Sequence, residues 1–168
     1  MNFYGNKEIW NLERVAFFCS QVCPATVILK SYDWAIEQRD KGVCVISGFH
    51  TKIEKDVFDF LLKGNQPIIC VLARGLMKSY EPKYEKAVKE KRLLFVSPFE
   101  EIISRVSVAR SIKRNNFIVE HTKTIFVAFA RENGNLEQMI KQNIGNRSFQ
   151  TMRIPENEGI INIGVNSI

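Results

Sequence analysis

The residues best suited to hold an anion follow the apolar runs that the sequence predicts as strands. After the second run, Gly48 would let a phosphate approach the backbone, with the side chains of Ser47, Thr51 and Lys52 beside it. An ordinary strand-to-helix turn uses the same residue types, so a phosphate loop and a plain turn both remain open. The sequence contains neither GxGxxG nor GxxxxGKS/T, which removes the direct argument for a dinucleotide or a P-loop nucleotide.

A basic cluster on a predicted helix offers a second way to hold phosphates. Helical spacing places Arg110, Lys113 and Arg114 on one face, and Asn115 and Asn116 follow directly. Such a face would neutralise about two or three phosphates. The two asparagines would hydrogen-bond to sugars or base edges. A solvated helix surface explains the same residues, and both interpretations stay open.

Aromatic and histidine side chains near these loops suggest contacts rather than catalysis. Phe49 would stack on an unpaired base, a contact worth roughly 1–3 kcal/mol, or it would belong to the core. His50 and His121 are the two histidines of the chain, and neither has a Ser or Cys and an acidic partner at a recognisable spacing. We therefore predict no catalytic residues.

Alternating strands and helices must position these segments. Strands are predicted at 15–19, 43–46, 67–72, 93–96, 124–129 and 149–154, and helices at 24–40, 53–62, 84–90, 106–120 and 136–142. Strands that are apolar on both faces and separated by helices predict a mainly parallel sheet covered on both sides, a three-layer α/β fold. Ligands gather at the carboxyl ends of such strands, which makes 19–21, 47–52 and 73–75 the candidate loops.

Length and charge narrow the class of protein. The 168 residues fit one domain with a substantial core, and 155–168 reads as an edge hairpin or a flexible tail. A net charge of +6 attracts polyanions, so nucleic acid is a plausible partner, although a basic surface also serves solubility alone.

The four cysteines indicate core residues in a reducing compartment. Three lie in or beside apolar runs, and no second cysteine pair or histidine cluster completes a zinc site or a disulfide framework. No apolar run approaches the roughly twenty residues that cross a bilayer. We expect a cytoplasmic protein without membrane contact, metal or cofactor.

Several segments also resemble motifs of one protein family, in the same order. They are 3–6 (FYGN, for LYxxGN), 15–21 (VAFFCSQ, for VAIVGSR), 47–54 (SGFHTKIE, for SGLARGID), 67–82 (PIICVLARGLMKSYEP, for TIAVLGxGLDxxYPP), 93–99 (LLFVSPF, for LLSExP), 114–130 (RNNFIVEHTKTIFVAFA, for RNRIIAGLSDAVLVVEA) and 134–136 (GNL, for GSL). The chain thus resembles the core domain of the DNA-processing protein DprA (Smf) family. That family lies in a Rossmann-like superfamily with the LOG-type nucleotide enzymes.

This resemblance implies a Rossmann-like core that binds single-stranded DNA in a basic pocket, without catalysis. It also implies a homodimer that passes the strand to a RecA-type recombinase during transformation or recombination. Arg114 would act as a phosphate clamp. The residues expected to bind nucleic acid or phosphate are Ser20, Gln21, Ser47, Gly48, Phe49, Thr51, Lys52, Arg74, Gly75, Arg110, Lys113, Arg114, Asn115, Gly134 and Asn135.

The chain departs from the family at charged positions. Three family arginines are replaced by neutral residues, at Gln21, Thr51 and Asn116. The aspartate of SGLARGID is replaced by Glu54. Lys52, Arg74 and Lys113 are cations nearby, but an ammonium one residue away does not restore the geometry of a bidentate guanidinium. The departures therefore predict that DNA binding is weakened or lost.

Two alternatives remain. The first is a nucleotide-binding sensor or LOG-like nucleotide hydrolase using the same loops. That branch carries PGGxGTxxE, and here Gln138 stands at the catalytic glutamate, where a carboxamide cannot act as a general base. The second is a degenerate scaffold that keeps the fold and binds only protein.

Overall fold

The computed structural model describes residues 1–168 and contains eight strands and six α-helices. The strands are β1 (Asn2–Gly5), β2 (Val15–Cys19), β3 (Val45–Ser47), β4 (Ile68–Val71), β5 (Leu93–Ser97), β6 (Thr124–Phe129), β7 (Ser148–Thr151) and β8 (Asn166–Ser167). The helices are α1 (Ala25–Asp40), α2 (Lys52–Leu62), α3 (Pro82–Lys89), α4 (Val108–Glu120), α5 (Asn135–Asn143) and α6 (Glu158–Asn162). Two 3₁₀ helices cover Lys7–Asn11 and Pro155–Asn157.

All eight strands form one sheet in the order β1-β5-β4-β3-β2-β6-β7-β8. Every neighbouring pair is parallel except β1 and β5. From β2, the chain first adds strands toward β5 on one side and later adds β6 to β8 on the other. The order therefore reverses between β2 and β6. The predicted mainly parallel α/β fold is confirmed.

Two apolar layers form on the two faces of the sheet. Along β2, Ala16 and Phe18 point into one layer, and Phe17 and Cys19 into the other. Helices α1, α2 and α3 cover the second layer, and α4, α5 and α6 cover the first. Burial on both faces explains the continuous apolar runs, because β3, β4 and β5 are buried at every position and β2 and β6 at all but end residues.

The cysteines occupy the positions predicted from the apolar runs. Cys19, Cys44 and Cys70 are buried, Cys23 is half-buried, and all four thiols are free. None of the six helices is long and apolar enough to span a membrane.

The C-terminal segment is neither a hairpin nor a tail, and that expectation was wrong. It forms a 3₁₀ helix, α6 and the edge strand β8, which pairs in parallel with β7. The buried Asn157 anchors it, because its Nδ2 donates to the carbonyl of Ala128 at 3.0 Å and to Oγ1 of Thr151 at 2.7 Å. Local sequence does not show this pairing, since β8 has two residues and exists only through β7.

The antiparallel edge strand β1 was also absent from the sequence prediction. It ends at Gly5, whose φ is 114°, and a Cβ there would overlap the carbonyl oxygen of Leu93 on β5. Glycine is therefore required where β1 meets β5.

Candidate functional site

A cleft of about 610 Å³ opens at the carboxyl ends of β2 and β6, where the strand order reverses. Open parallel sheets bind ligands at this kind of position. The walls come from the loop after β2, the start of α2, the segment leading into α4, the loop after β6 and the start of α5. The lining residues are Phe18, Cys19, Ser20, Gln21, Val22, His50, Thr51, Glu54, Val106, Ser107, Val108, Ser111, Ile112, Arg114, Asn115, Arg131, Gly134, Asn135 and Leu136.

Three helix N-termini border this cleft. The N-cap residues are Thr51 for α2, Ser107 for α4 and Gly134 for α5, and all three line it. Helix N-termini carry partial positive charge and unpaired amides. The α5 terminus is the most open, since Gly134 has no side chain to cap it. The cleft therefore favours anions.

Arg114 of α4 supplies the buried cation of the site. Its side chain lines the cleft, yet the residue is only 4% exposed. Nε donates to Oδ1 of Asn115 at 3.0 Å, but neither terminal nitrogen has an acceptor within the protein, and no ion pair involves this residue. Burial lowers the pKa of Arg114, and the Glu54 carboxylate opposes that shift. A guanidinium nonetheless stays charged and keeps all its N–H donors. Because only Nε has an acceptor in the protein, the two terminal nitrogens can bind a ligand.

Gly48 makes room for this guanidinium rather than for a phosphate. A Cβ on Gly48 would overlap Cζ, Nη1 and Nε of Arg114. The expectation that a phosphate approaches the backbone at Gly48 is therefore corrected, because the arginine already occupies that space.

Phe49 belongs to the core, and its expected stacking on a base is wrong. The residue is buried and stacks on Phe58 with ring centroids 4.1 Å apart. Its φ of 45° is in the left-handed region, which is strained for a bulky side chain. The turn after Gly48 thus directs this ring away from the cleft.

The start of α2 is a capped turn, which was the plain alternative for 47–52. The Glu54 carboxylate accepts from the amides of His50 at 2.8 Å, Thr51 at 3.2 Å and Cys19 at 3.3 Å. The Thr51 hydroxyl accepts in return from the amide of Glu54 at 3.2 Å, completing a capping box. A carboxylate of the chain itself thus occupies the amides that a phosphate would have used.

The other polar groups of this turn are also engaged within the protein. The buried Ser47 hydroxyl accepts from the amide of Phe49 at 3.2 Å. The Lys52 ammonium lies 3.1 Å from the Asp56 carboxylate, one helical turn further on. Neither Ser47 nor Lys52 lines the cleft, so neither joins Arg114 at its floor.

The loops after β2 and β6 are tied together at the cleft. The hydroxyl of Ser20 accepts from the amide of Arg131 at 2.9 Å. Gln21 and Asn135 are exposed and line the opening beside them. The structure therefore brings seven of the predicted residues together around one cavity, which are Ser20, Gln21, Thr51, Arg114, Asn115, Gly134 and Asn135.

The three basic residues predicted on one side of α4 do not meet at the cleft, because only Arg114 lines it. Neighbouring helix residues differ by about 100° in direction, and only Arg114 turns inward. Nη1 of Arg110 donates to the carbonyl of Arg105 at 2.7 Å, and the exposed Lys113 lies 5.4 Å from the ring centroid of Phe99.

The loop after β4 also lies outside the cleft. Arg74 contacts the sulfur of Met77, and the amide of Gly75 donates to the carbonyl of Ile103 at 2.7 Å. A Cβ on Gly75 would overlap the backbone of Glu100 and Glu101. Gly75 is thus a packing requirement, and neither residue reaches the site.

Sequence reasoning missed several residues of the cleft. Ser107 carries an N-cap signal, because a serine directly precedes the apolar-periodic part of α4. Glu54 was missed as a cleft residue, although it completes a T-x-x-E capping box with the predicted Thr51, a pattern that indicates engaged amides. No local signal identifies Ser111 or Arg131, which reach the cleft only through folding.

A cavity of about 640 Å³ lies at the opposite rim of the sheet. Its walls include Gly42, just beyond α1, and His121, the C-cap of α4. Helix C-termini carry partial negative charge, which opposes the binding of anions there. Arg14 and Lys123 provide cations, but the field of the helices makes the carboxyl rim the better anion site.

Fold and cleft together define a Rossmann-like α/β domain with an anion-attracting cleft at its switch point. No protein-family model matches the sequence, and no curated protein matches it either. Solved structures do match its fold. DNA processing protein A (DprA) from Streptococcus pneumoniae aligns with a TM-score of 0.80 and 17% identity, over 99% of this chain and 62% of that one.

Two further structures extend this comparison. DprA from Helicobacter pylori, studied for its single-stranded DNA binding mode, aligns with a TM-score of 0.72 and 14% identity, over 96% of this chain and 76% of that one. The molybdenum cofactor carrier protein of Chlamydomonas reinhardtii aligns with a TM-score of 0.59 and 7% identity, over 92% of this chain and 88% of that one. The chain is thus a DprA-like Rossmann-type domain in its fold, as the resemblance predicted.

Proposed function

We propose that this chain binds single-stranded DNA in the cleft at the carboxyl rim and performs no chemistry on it. The buried guanidinium of Arg114, with two nitrogens unpaired in the cleft that the uncapped start of α5 also borders, is the observation that carries this proposal. The similarity in fold to DprA structures, one of them studied for single-stranded DNA binding, adds support.

A backbone phosphate would accept from Nη1 and Nη2 of Arg114 and from the open amides at the start of α5. Charge-assisted hydrogen bonds of this kind are the strong ones in phosphate recognition. The exposed Arg131 side chain would contact a neighbouring phosphate. Two neutralised phosphates predict that log K falls with log salt at a slope of about −1.4, since each contributes roughly −0.7 on a single strand.

The site carries less charge than the family resemblance would give it. Gln21 and Thr51 line the cleft where the family has arginines, and Glu54 adds a negative charge. The side chain of Arg131 adds one positive charge to the cleft. We therefore propose moderate affinity with a shallow salt dependence, because few phosphates are neutralised.

The carboxylate of the cleft supports the proposal that the protein performs no catalysis. Glu54 is its one carboxylate, and three backbone amides hold that group. Those hydrogen bonds fix the carboxylate to the turn and occupy the oxygens that a general base would turn toward a substrate. Steady release of base from nucleoside monophosphates would overturn this part of the proposal.

Fluorescence anisotropy with labelled oligo-dT at low salt tests the binding. Wild type should bind, and Arg114→Gln should bind roughly 10- to 150-fold more weakly, since a hydrogen bond to a charged group contributes about 1.5–3 kcal/mol. Lys123→Ala is the control, because it removes one positive charge at the opposite rim. Thermal unfolding of each variant checks its fold. Absence of wild-type binding, or equal binding by Arg114→Gln, would refute the proposal.

A single nucleotide is the second candidate ligand, and the size of the cleft favours it. About 610 Å³ lies within the roughly 300–1,000 Å³ that small-molecule sites occupy. Competition between nucleoside monophosphates and labelled oligo-dT separates the two. Tight binding of the mononucleotide without binding of the strand would select the nucleotide. Binding of neither would favour the protein-binding scaffold.

The family resemblance supports three further parts of the proposal: a homodimer, a RecA-type partner and a cytoplasmic location. Light scattering behind size exclusion measures the oligomeric state, and a monomer at all concentrations would refute the dimer. Co-elution with a RecA-type recombinase, with and without oligo-dT, tests the partner.

A further inference from the structure

Four branched aliphatic side chains are exposed around the mouth of the cationic cleft. They are Val22 (72% exposed), Val106 (42%), Val108 (69%) and Ile112 (39%), here called the aliphatic rim. They come from separate segments: the loop after β2, the segment before α4, and α4 itself. Single exposed apolar residues are ordinary, but four around one polar cleft indicate a binding surface.

One face of α4 alternates apolar and polar groups toward the cleft. Val108, Ser111, Ile112 and Asn115 all line it, at the i, i+3, i+4 and i+7 positions of a single helical stripe. Such a stripe offers apolar contact and hydrogen bonds side by side, with Arg114 at the floor below. A ligand that fits it carries negative charge and apolar surface in close alternation.

We propose that the aliphatic rim contacts the unpaired bases of the bound strand, in addition to the phosphate contact at Arg114. This inference rests on the proposed function. An unpaired strand exposes both its phosphates and the faces of its bases, whereas a duplex stacks its bases and presents mainly phosphates. Phosphates would bind at Arg114 while neighbouring bases lie on the rim.

Aliphatic contact replaces the aromatic platform that many single-strand binders use. The phenylalanine of the cleft wall, Phe18, is buried, and Phe49 packs in the core. Aliphatic side chains contact any base through its face, so this rim predicts little sequence preference.

A second copy of this chain is a less suitable occupant of the rim. The chain carries a net charge of +6, and the exposed Arg131 lies at the same opening. Two such surfaces would repel each other, whereas a polyanion would be attracted.

Three probes of equal length separate base contact from phosphate contact: oligo-dT, an abasic strand and a duplex. Anisotropy should show wild type binding oligo-dT about fivefold more tightly than the other two, since burial of about 40 Å² of apolar surface on the rim contributes about 1 kcal/mol. The double variant Val22→Thr/Val108→Thr keeps the shape of both side chains and should lose most of that preference. Its affinity for the abasic strand should be unchanged.

Leu29→Gln is the matched control, because Leu29 is 69% exposed on α1 and lies outside the cleft. Equal wild-type binding of oligo-dT and the abasic strand would overturn the rim inference and leave phosphate binding intact. Failure of wild type to bind any strand would overturn the proposed function itself. Conversion of a dimer to a monomer by the double variant, with DNA binding unchanged, would make the rim a self-association surface and refute the inference.

Discussion

Substitution of Gly48 by alanine should weaken DNA binding while leaving the fold intact. The new Cβ would overlap the guanidinium of Arg114, the mobile end of a long side chain, so the arginine is expected to move. Gly48 is not among the residues with positive φ, and alanine therefore adopts its backbone conformation without strain. The perturbation removes the arginine from its position without removing it from the chain.

Two small terms set the change in stability, and they oppose each other. Alanine stabilises the protein by about 0.4–1 kcal/mol, because it restricts the unfolded chain. Displacing Arg114 loses its 3.0 Å hydrogen bond to Asn115, worth about 0.5–1.5 kcal/mol. The free energy of unfolding should therefore change by less than about 1 kcal/mol. Affinity should fall roughly 10- to 150-fold, because the charged phosphate contact of about 1.5–3 kcal/mol is lost.

Anisotropy with oligo-dT and urea unfolding on the same samples measure both quantities. Gly145→Ala is the control, because a Cβ there meets no atom within 4 Å. The double variant Gly48→Ala/Arg114→Gln should bind no more weakly than the weaker single variant, since both changes remove one guanidinium. The placement of Arg114 would not determine binding if folded Gly48→Ala bound oligo-dT as tightly as wild type. The same conclusion would follow if the affinity losses of the two single changes added in the double variant.

Further predictions concern pH and the C-terminal segment. Burial and the neighbouring Arg114 lower the pKa of His50 below its ordinary 6.5, so the unfolded chain takes up that proton first. Stability contributed by His50 is therefore complete above pH 6.5 and falls as the pH drops below it. His50→Asn should flatten this part of the stability profile in urea unfolding, and an unchanged slope would contradict the assignment. Asn157→Ala should lower the free energy of unfolding by about 1–3 kcal/mol, because it leaves buried hydrogen-bonding groups unpaired. Faster amide exchange in β8 should accompany that loss, and full protection there would show that Asn157 does not anchor the segment.

The sequence alone predicted the elements whose apolar pattern is continuous and cleanly bounded. Strands β2 and β6 have the bounds that their apolar runs predicted. The covered, mainly parallel sheet follows from the same runs, because a strand that is apolar on both faces must be buried on both. Edge strands β1 and β8 were missed, since they are short and form only by pairing with a partner.

Only the tertiary structure decided what the candidate residues do. Arg114 was predicted from the sequence, but its burial depends on how α4 packs against the loop at Gly48. Phe49 entered the core and Glu54 took the amides of α2, because side-chain direction at a turn is set by backbone angles and distant neighbours. Local pattern fixes where strands and helices form. Which charges lie together at the end of the sheet depends on strand order and depth of burial, and neither property is local.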